Sequence, residues 1–172
     1  MKKKVLIISP HADDEILGCG GFISKYSKHN YQIDVLILTN ANKGAPELYS
    51  PEEIKFIRKE AEIANKLIGT KKIYFENLPA VNLNNYPVYR ISNVIERYIK
   101  KIKPEIILIP SGNDIHDDHK IVHKAAKVSM RPNKTSNLKI ILSYEVLSET
   151  EWNEDGKSFN PNYFVHLKKK DI

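Results

Sequence analysis

The polar and apolar positions divide the chain into alternating short and long periods. Residues 5–8, Val-Leu-Ile-Ile, are apolar without alternation, which predicts a strand buried on both faces of a parallel sheet. From Glu15 the spacing changes, and residues 15–28 read as a helix with Ile16, Leu17, Gly20, Ile23 and Ser24 or Ser27 facing inward. Residues 33–39 form a second strand, followed by a loop over 40–49. Ser50, Pro51 and Glu53 form a helix start, with an N-cap, a proline at the first turn and the acid of a capping box. The inner face of that helix is Ile54, Ile57, Ala61, Ala64 and Leu67-Ile68, and Gly69 stops it. A third strand follows at 72–75, then an irregular Asn-rich stretch over 78–87. Ile91, Val94, Ile95, Tyr98, Ile99 and Ile102 set a helix over 88–102. A fourth strand over 106–110 leads to a helix over 119–130 and a polar turn region over 131–137. Residues 139–146 make a fifth strand and 163–167 a sixth; there are no internal repeats.

Strands alternating with helices demand a mostly parallel sheet covered by helices on both faces, an α/β architecture in three layers. With strand order 3-2-1-4-5 the first and fourth strands are neighbours, and the topological switch, where such sheets hold ligands, lies between them.

Chemistry-bearing residues gather behind those two strands. After Pro10 come His11, Asp13, Asp14 and Glu15; after Pro110 come Asp114, His116, Asp117, Asp118 and His119, with His123 one turn on. Carboxylates packed this closely repel unless a cation joins them. Imidazole and carboxylate are ligands for zinc or iron(II), and three protein donors with an open position is the catalytic arrangement. Helix capping would account for one or two of the acids but not for His11 after a proline. His11 and Asp14 therefore read as metal-binding, and His116 and His119 as functional. Asp13 points away from Asp14 on so tight a turn, which leaves it as the carboxylate able to act as a base. Asp114 and Asp118 suit holding an imidazole in one tautomer. Asp117 and Lys120 read as solvated, and His123 as a support or a satisfied buried histidine rather than a ligand. His29 and His166 lack polar company. Arg58 lies on the outward side of its helix, where a surface ion pair and a substrate contact are both open. Tyr89, Tyr98, Phe56 and Phe75 read as core.

Composition narrows the class. At 172 residues, 41% hydrophobic and 28% charged, the chain reads as one globular domain over residues 1–172. Its formal charge is +6, but Lys supplies 23 of 27 basic residues and Arg occurs only at 58, 90, 97 and 131. No nucleic-acid-binding signature accompanies that charge. A single cysteine, Cys19, excludes an intramolecular disulfide and a Cys-rich zinc site. The opening Met-Lys-Lys-Lys precedes too short an apolar run for a signal peptide, and no stretch spans a membrane, so the cytoplasm is expected. Gly18-Cys-Gly-Gly has the wrong spacing for a dinucleotide fingerprint, which argues against a nucleotide-binding protein; the small residues instead let the first helix lie close to the sheet.

Ser9-Pro-His-Ala-Asp-Asp-Glu-Ile-Leu-Gly-Cys-Gly-Gly21 resembles the His-Pro-Asp-Asp-Glu signature of the LmbE/PIG-L-like zinc N-deacetylases. Asp114-x-His116-x-Asp118-His119 resembles their second signature, and Arg58 to Gly69 the helix between. Tyr144-Glu-Val and Phe159-Asn-Pro-Asn-Tyr-Phe-Val165 resemble later segments, so the likeness covers nearly the whole chain. It implies a Rossmann-like fold and a zinc-dependent hydrolase, with iron(II) as the alternative ion, that removes acetyl from an N-acetylated amino sugar or GlcNAc conjugate. It further implies His11, Asp14 and His119 as metal ligands, Asp13 as general base, His116, expected as an imidazolium, as oxyanion stabiliser, Asp118 as the carboxylate orienting a histidine, and Arg58 as a substrate contact. The implied partner is a small N-acetyl sugar, without nucleic acid or membrane insertion, and homo-oligomerisation stays open. The rival of another class is a non-catalytic metal- or sugar-binding module on the same fold. Ala12 replaces the family's usual proline, and the chain stops at Asp171-Ile172 where members continue into a C-terminal helix, as a shortened copy or a fragment would.

Overall fold

Five parallel strands lie in the order β3-β2-β1-β4-β5, in a computed structural model that describes residues 2–132, 137–147, 149–152 and 158–171. They are β1 (Lys3–Ser9), β2 (Tyr31–Asn40), β3 (Lys72–Pro79), β4 (Ile106–Pro110) and β5 (Ile140–Tyr144). The crossovers carry α1 (Asp14–Ser27), the short α2 (Ala41–Gly44), α3 (Pro51–Ile68), α4 (Val88–Ile102) and α5 (Asp117–Ser129), with a 3-10 turn at Leu83–Asn85. β1 is central: Val5 pairs with Ile33 on one side and Ile106 on the other.

The unbroken apolar runs follow from this arrangement. Successive side chains of a strand point to opposite faces. Leu6 and Ile8 join Leu36, Leu38, Ile107 and Ile109 beneath α4 and α5. Val5 and Ile7 join Ile33, Val35, Ile37 and Leu108 beneath α1 and α3. Both faces are covered, so neither can be polar. α3 begins as expected, with the Ser50 hydroxyl accepting from the Glu53 backbone N–H and the Glu53 carboxylate accepting from that of Ser50; Gly69 closes it in the left-handed region at φ 95°.

Several boundaries and faces differ from the sequence reading. The buried side of α1 is Asp14, Glu15, Cys19, Phe22 and Ile23, whereas Leu17 is exposed. Glu15 turns inward because Asn65 of α3 meets it there, and that rotates the face. Leu67, Phe56 and Tyr89 are exposed rather than core. The loop over 40–49 contains α2, capped by Asn40, whose side chain accepts from the Asn42 backbone N–H. β5 is shorter than expected. No sixth strand forms over 163–167: this segment crosses α1 instead, with the His166 carbonyl accepting from Lys25 and Leu167 seated where Gly21 has no side chain. At Gly18 a Cβ would collide with the Tyr144 ring and the Glu145 carbonyl, so small size there serves the close approach of α1 to the end of β5. Of the expected turn region over 131–137, residues 133–136 lie outside the described residues. Among the described residues no helix is long and apolar enough to cross a membrane.

Candidate metal centre

β1 and β4 end side by side, and the loops after them meet. Three donor atoms come together there from distant parts of the chain. His119 Nε2 lies 3.2 Å from His11 Nδ1 and 3.3 Å from Asp14 Oδ2, and His11 Nδ1 lies 3.4 Å from Asp14 Oδ2. An ion about 2.0–2.1 Å from each of three tetrahedrally disposed donors sets them roughly 3.3–3.4 Å apart. The triangle fits a zinc-sized ion without rearrangement.

The outer nitrogens of both rings are engaged by carboxylates. His11 Nε2 is 3.2 Å from Asp118 Oδ2, and His119 Nδ1 is 3.1 Å from Asp114 Oδ2. A proton on each of those nitrogens leaves the inward nitrogen's lone pair facing the triangle, the tautomer a metal-binding histidine takes. Asp118 and Asp114 are themselves fixed. Asp118 accepts from the backbone N–H groups of Val81 and Leu83, and Asp114 from that of His116 and from the Thr150 hydroxyl.

His116 is the N-cap of α5, and its Nδ1 accepts from the Asp118 backbone N–H at 3.1 Å. Its ring stacks on that of His119 with centroids 5.0 Å apart. His11, His116 and His119 also bring their nitrogens close enough to share an ion. However, a lone pair spent at Nδ1 puts the proton of the neutral ring on Nε2, which makes His116 a hydrogen-bond donor rather than a ligand. The set containing Asp14 is the chemically better one.

Charge at the site favours a cation. Burial opposes protonation of His11 and His119, yet hydrogen bonds to Asp118 and Asp14 in one case, and to Asp114 and Asp14 in the other, raise them to about 9 and about 10. Burial likewise opposes ionisation of Asp14, and the two imidazoles outweigh it, holding the carboxyl well below its usual range. Asp13 keeps an exposed side chain at the rim; desolvation and the Asp14 charge raise its carboxyl.

Two acids at the site were given no role by sequence reasoning: Glu149 was not noticed, and Glu15 was named only as part of the first cluster. Glu149, after β5, places Oε2 3.2 Å from His119 Nε2 and forms a second donor group with Asp14 and His119. Glu15 is fully buried, accepts from Asn65 at 2.7 Å, and is pushed up by burial to about 7. The position of Glu15 beside the cluster was a usable signal. A lone glutamate after an edge strand looks like any solvated acid, and only the neighbouring places of β4 and β5 reveal Glu149.

His11 and Asp14 open onto a cavity of about 280 Å³, with His119 buried behind them; Asp13, His116 and Glu149 also line it, and Tyr49, Ile54, Ile57, Ala80 and Val81 complete the wall. Val81 adopts φ 54°, costly for a β-branched residue, and its N–H is held by Asp118. Arg58 reaches this wall, and its guanidinium donates to the Glu76 carbonyl and, at 2.8 Å, to the Asn77 side chain while lying over the Phe75 ring. Among the described residues no carboxylate lies within ion-pair distance of it, and the charge of Glu76 acts on it from farther off. Beyond Arg58 a second space of about 600 Å³ shares Asn40, Ile54 and Arg58 with the first and is lined by Lys43, Lys55 and Lys59. His123 is not at the centre; its Nδ1 donates to the Pro110 carbonyl.

Fold and site together define a Rossmann-like α/β protein with a His/Asp donor cluster at its topological switch. Residues 6–130 match the family model PIG-L, GlcNAc-PI de-N-acetylase, and the chain belongs to that family. It is 32% identical over 124 residues to the diacetylchitobiose deacetylase of Thermococcus kodakarensis, covering 69% of this chain and 45% of that one. With the protein described as probable N-acetyl-alpha-D-glucosaminyl L-malate deacetylase 2 of Bacillus subtilis it shares 27% over 129 residues, covering 69% and 57%. The crystal structure of N,N'-diacetylchitobiose deacetylase from Pyrococcus horikoshii superposes with a TM-score of 0.65 at 30% identity, covering 74% of this chain and 49% of that one. The chain thus spans about half the length of each of these relatives.

Proposed function

We propose that the protein is a metal-dependent N-deacetylase that hydrolyses the acetamide of an N-acetyl amino sugar carried on an aglycone. His11, Asp14 and His119 hold the ion, zinc by donor type with iron(II) as the alternative. The observation that carries this reading is a triangle of three donor atoms at metal-ligand spacing, two of whose residues, His11 and Asp14, line a cavity. When bound, the ion supplies the Lewis acidity that brings the pKa of water down to about 7. Asp13 takes the proton of the water as its oxygen adds to the acetyl carbonyl carbon. His116, neutral and protonated at Nε2, donates to the developing oxyanion; the hydrogen bond from Asp118 N–H to Nδ1 favours this form over the imidazolium. The C–N bond then breaks, the proton passes from Asp13 to the leaving nitrogen, and the proton left on the acid's hydroxyl is lost to the amine, so the products are the ammonium form of the amino sugar and acetate. Asp118 keeps the His11 ring in place, and Arg58 lines the way from the sugar to its aglycone.

The relatives' names point to the substrate class: diacetylchitobiose in one, an N-acetylglucosaminyl L-malate in another. The second space, where Lys59 pairs with Glu62 but Lys43 and Lys55 have no carboxylate within ion-pair reach among the described residues, suits an anionic aglycone of the latter kind. The test is amine release from a panel of N-acetyl sugars by the metal-loaded chain, with a chelator control. Release that stops on chelation, returns with zinc, and falls about 10²–10³-fold in His116→Ala supports the reading. Metal binding without release from any member of the panel would instead leave a non-catalytic module.

A further inference from the structure

We propose that Glu149 is a fourth donor to the ion: its Oε2 closes the coordination position left by His11, Asp14 and His119 and gives way when substrate enters. This rests on the metal reading above and concerns a residue outside both sequence signatures. Glu149 Oε2 is buried and has no hydrogen-bond partner among the described residues. A buried carboxylate oxygen left unpaired is costly. An ion pair with His119 alone does not account for its position. The His119 ring has two nitrogens; Nδ1 is taken by Asp114, while Nε2 lies 3.3 Å from Asp14 Oδ2 and 3.2 Å from Glu149 Oε2. One N–H cannot serve two carboxylates well, whereas one divalent ion serves Nε2 and both carboxylate oxygens, Asp14 Oδ2 and Glu149 Oε2, at once.

The backbone around Glu149 is anchored to the same centre. Thr150, fully buried, donates from its hydroxyl to Asp114 Oδ2 at 2.8 Å and accepts there from the Val146 N–H. The Glu149 carbonyl accepts from the Ile115 N–H. Asp114 therefore sets both the His119 ring and the turn bearing Glu149. The side chain is still 31% exposed toward the cavity, so it has room to swing aside. A carboxylate that closes the resting site and then leaves gives the enzyme a way to retain its ion while the cavity is empty.

The test reads metal binding rather than turnover. The full chain is freed of metal, then titrated with zinc against a chromophoric chelator, and with cobalt(II) to record its visible spectrum, in wild type, Glu149→Gln and Glu149→Ala. We expect both variants to hold zinc at least about 10-fold more weakly, the range lost even when an outer partner of a ligand is removed. Their cobalt spectra should differ from that of wild type, and added acetate should bring the Glu149→Ala spectrum back toward it. Zinc affinities and cobalt spectra equal to wild type in whichever variant folds would overturn the proposal alone. A wild-type chain that takes up neither ion would overturn it together with the metal reading.

Discussion

Asp118 shows how much one side chain can do at this site. Its carboxylate receives the outer nitrogen of His11 and two backbone N–H groups, those of Val81 and Leu83, so one residue of α5 fixes a histidine after β1 and the loop after β3. Asp118→Asn removes the negative charge and keeps the shape. Zinc affinity, measured by chelator competition, should fall about 10–100-fold, as it does when such a partner is lost; an unchanged affinity would mean that His11 is held by packing. A second acid behaves differently. Asp34 is 2% exposed within β2. Burial raises its carboxyl above the ordinary value, against the pull of Gln32 and the lysines at positions 4, 71 and 72. An acid whose folded pKa is raised favours the folded state when protonated, and that contribution is lost as pH rises from the unfolded value, about 3.9, through the folded one. Asp34→Asn should therefore melt at a higher temperature than wild type near pH 7, with the difference vanishing near pH 3, where Asp34 is protonated in both states.

At the scale of elements, α1 and α3 are joined by a polar tie inside the apolar layer. Asn65 donates to Glu15 Oε1 and to the Ala61 carbonyl, and its own oxygen accepts from the Thr70 hydroxyl. Asn65→Ala strips Glu15 and Thr70 of these partners at once. Each buried group left unpaired costs about 1–3 kcal/mol, so urea denaturation should show a loss in that range or somewhat beyond it. A loss below about 0.5 kcal/mol would show water replacing the amide. The same tie marks what was legible in the chain. Helix starts and stops were legible because capping chemistry is local: Ser50, Glu53 and Gly69 all act within a turn of their own backbone. The inward side of α1 was not, because an aliphatic stripe at Ile16 and Leu17 competes with Glu15, and Glu15 wins through a residue fifty positions away. The expected strand over 163–167 failed for a related reason: Tyr163, Phe164 and Val165 have the composition of a strand, but the place for Leu167 is a gap at Gly21 of α1 rather than a sheet edge.

For the whole molecule, alternation alone predicted a parallel sheet, and the sequence-distant His/Asp clusters became one site through strand order, since β1 and β4 are neighbours. The extension of the site past Arg58 could not be read this way, because Lys43, Lys55 and Lys59 sit in a sequence with lysine everywhere. Their juxtaposition is a property of how α2 packs near α3. Lys59 is 3.5 Å from Glu62, while Lys43 and Lys55 have no carboxylate within ion-pair reach among the described residues. An anionic aglycone entering there meets uncompensated positive charge, and a neutral one gains nothing from it. Charges this close to solvent contribute about 0–1 kcal/mol each. Lys55→Glu, which removes one attraction and adds one repulsion, should then raise KM for a phosphate- or carboxylate-bearing N-acetylglucosamine conjugate by up to about 10-fold, since 1.4 kcal/mol is a factor of ten. The value for a neutral conjugate should stay close to that of wild type. Because the Debye length shrinks from about 10 Å at 0.1 M salt to about 3 Å at 1 M, the wild-type preference for the charged conjugate should fade as salt is added, and with it the difference between the two proteins. A preference for charge that survived both the substitution and high salt would move the recognition of the aglycone to Arg58 and the inner wall.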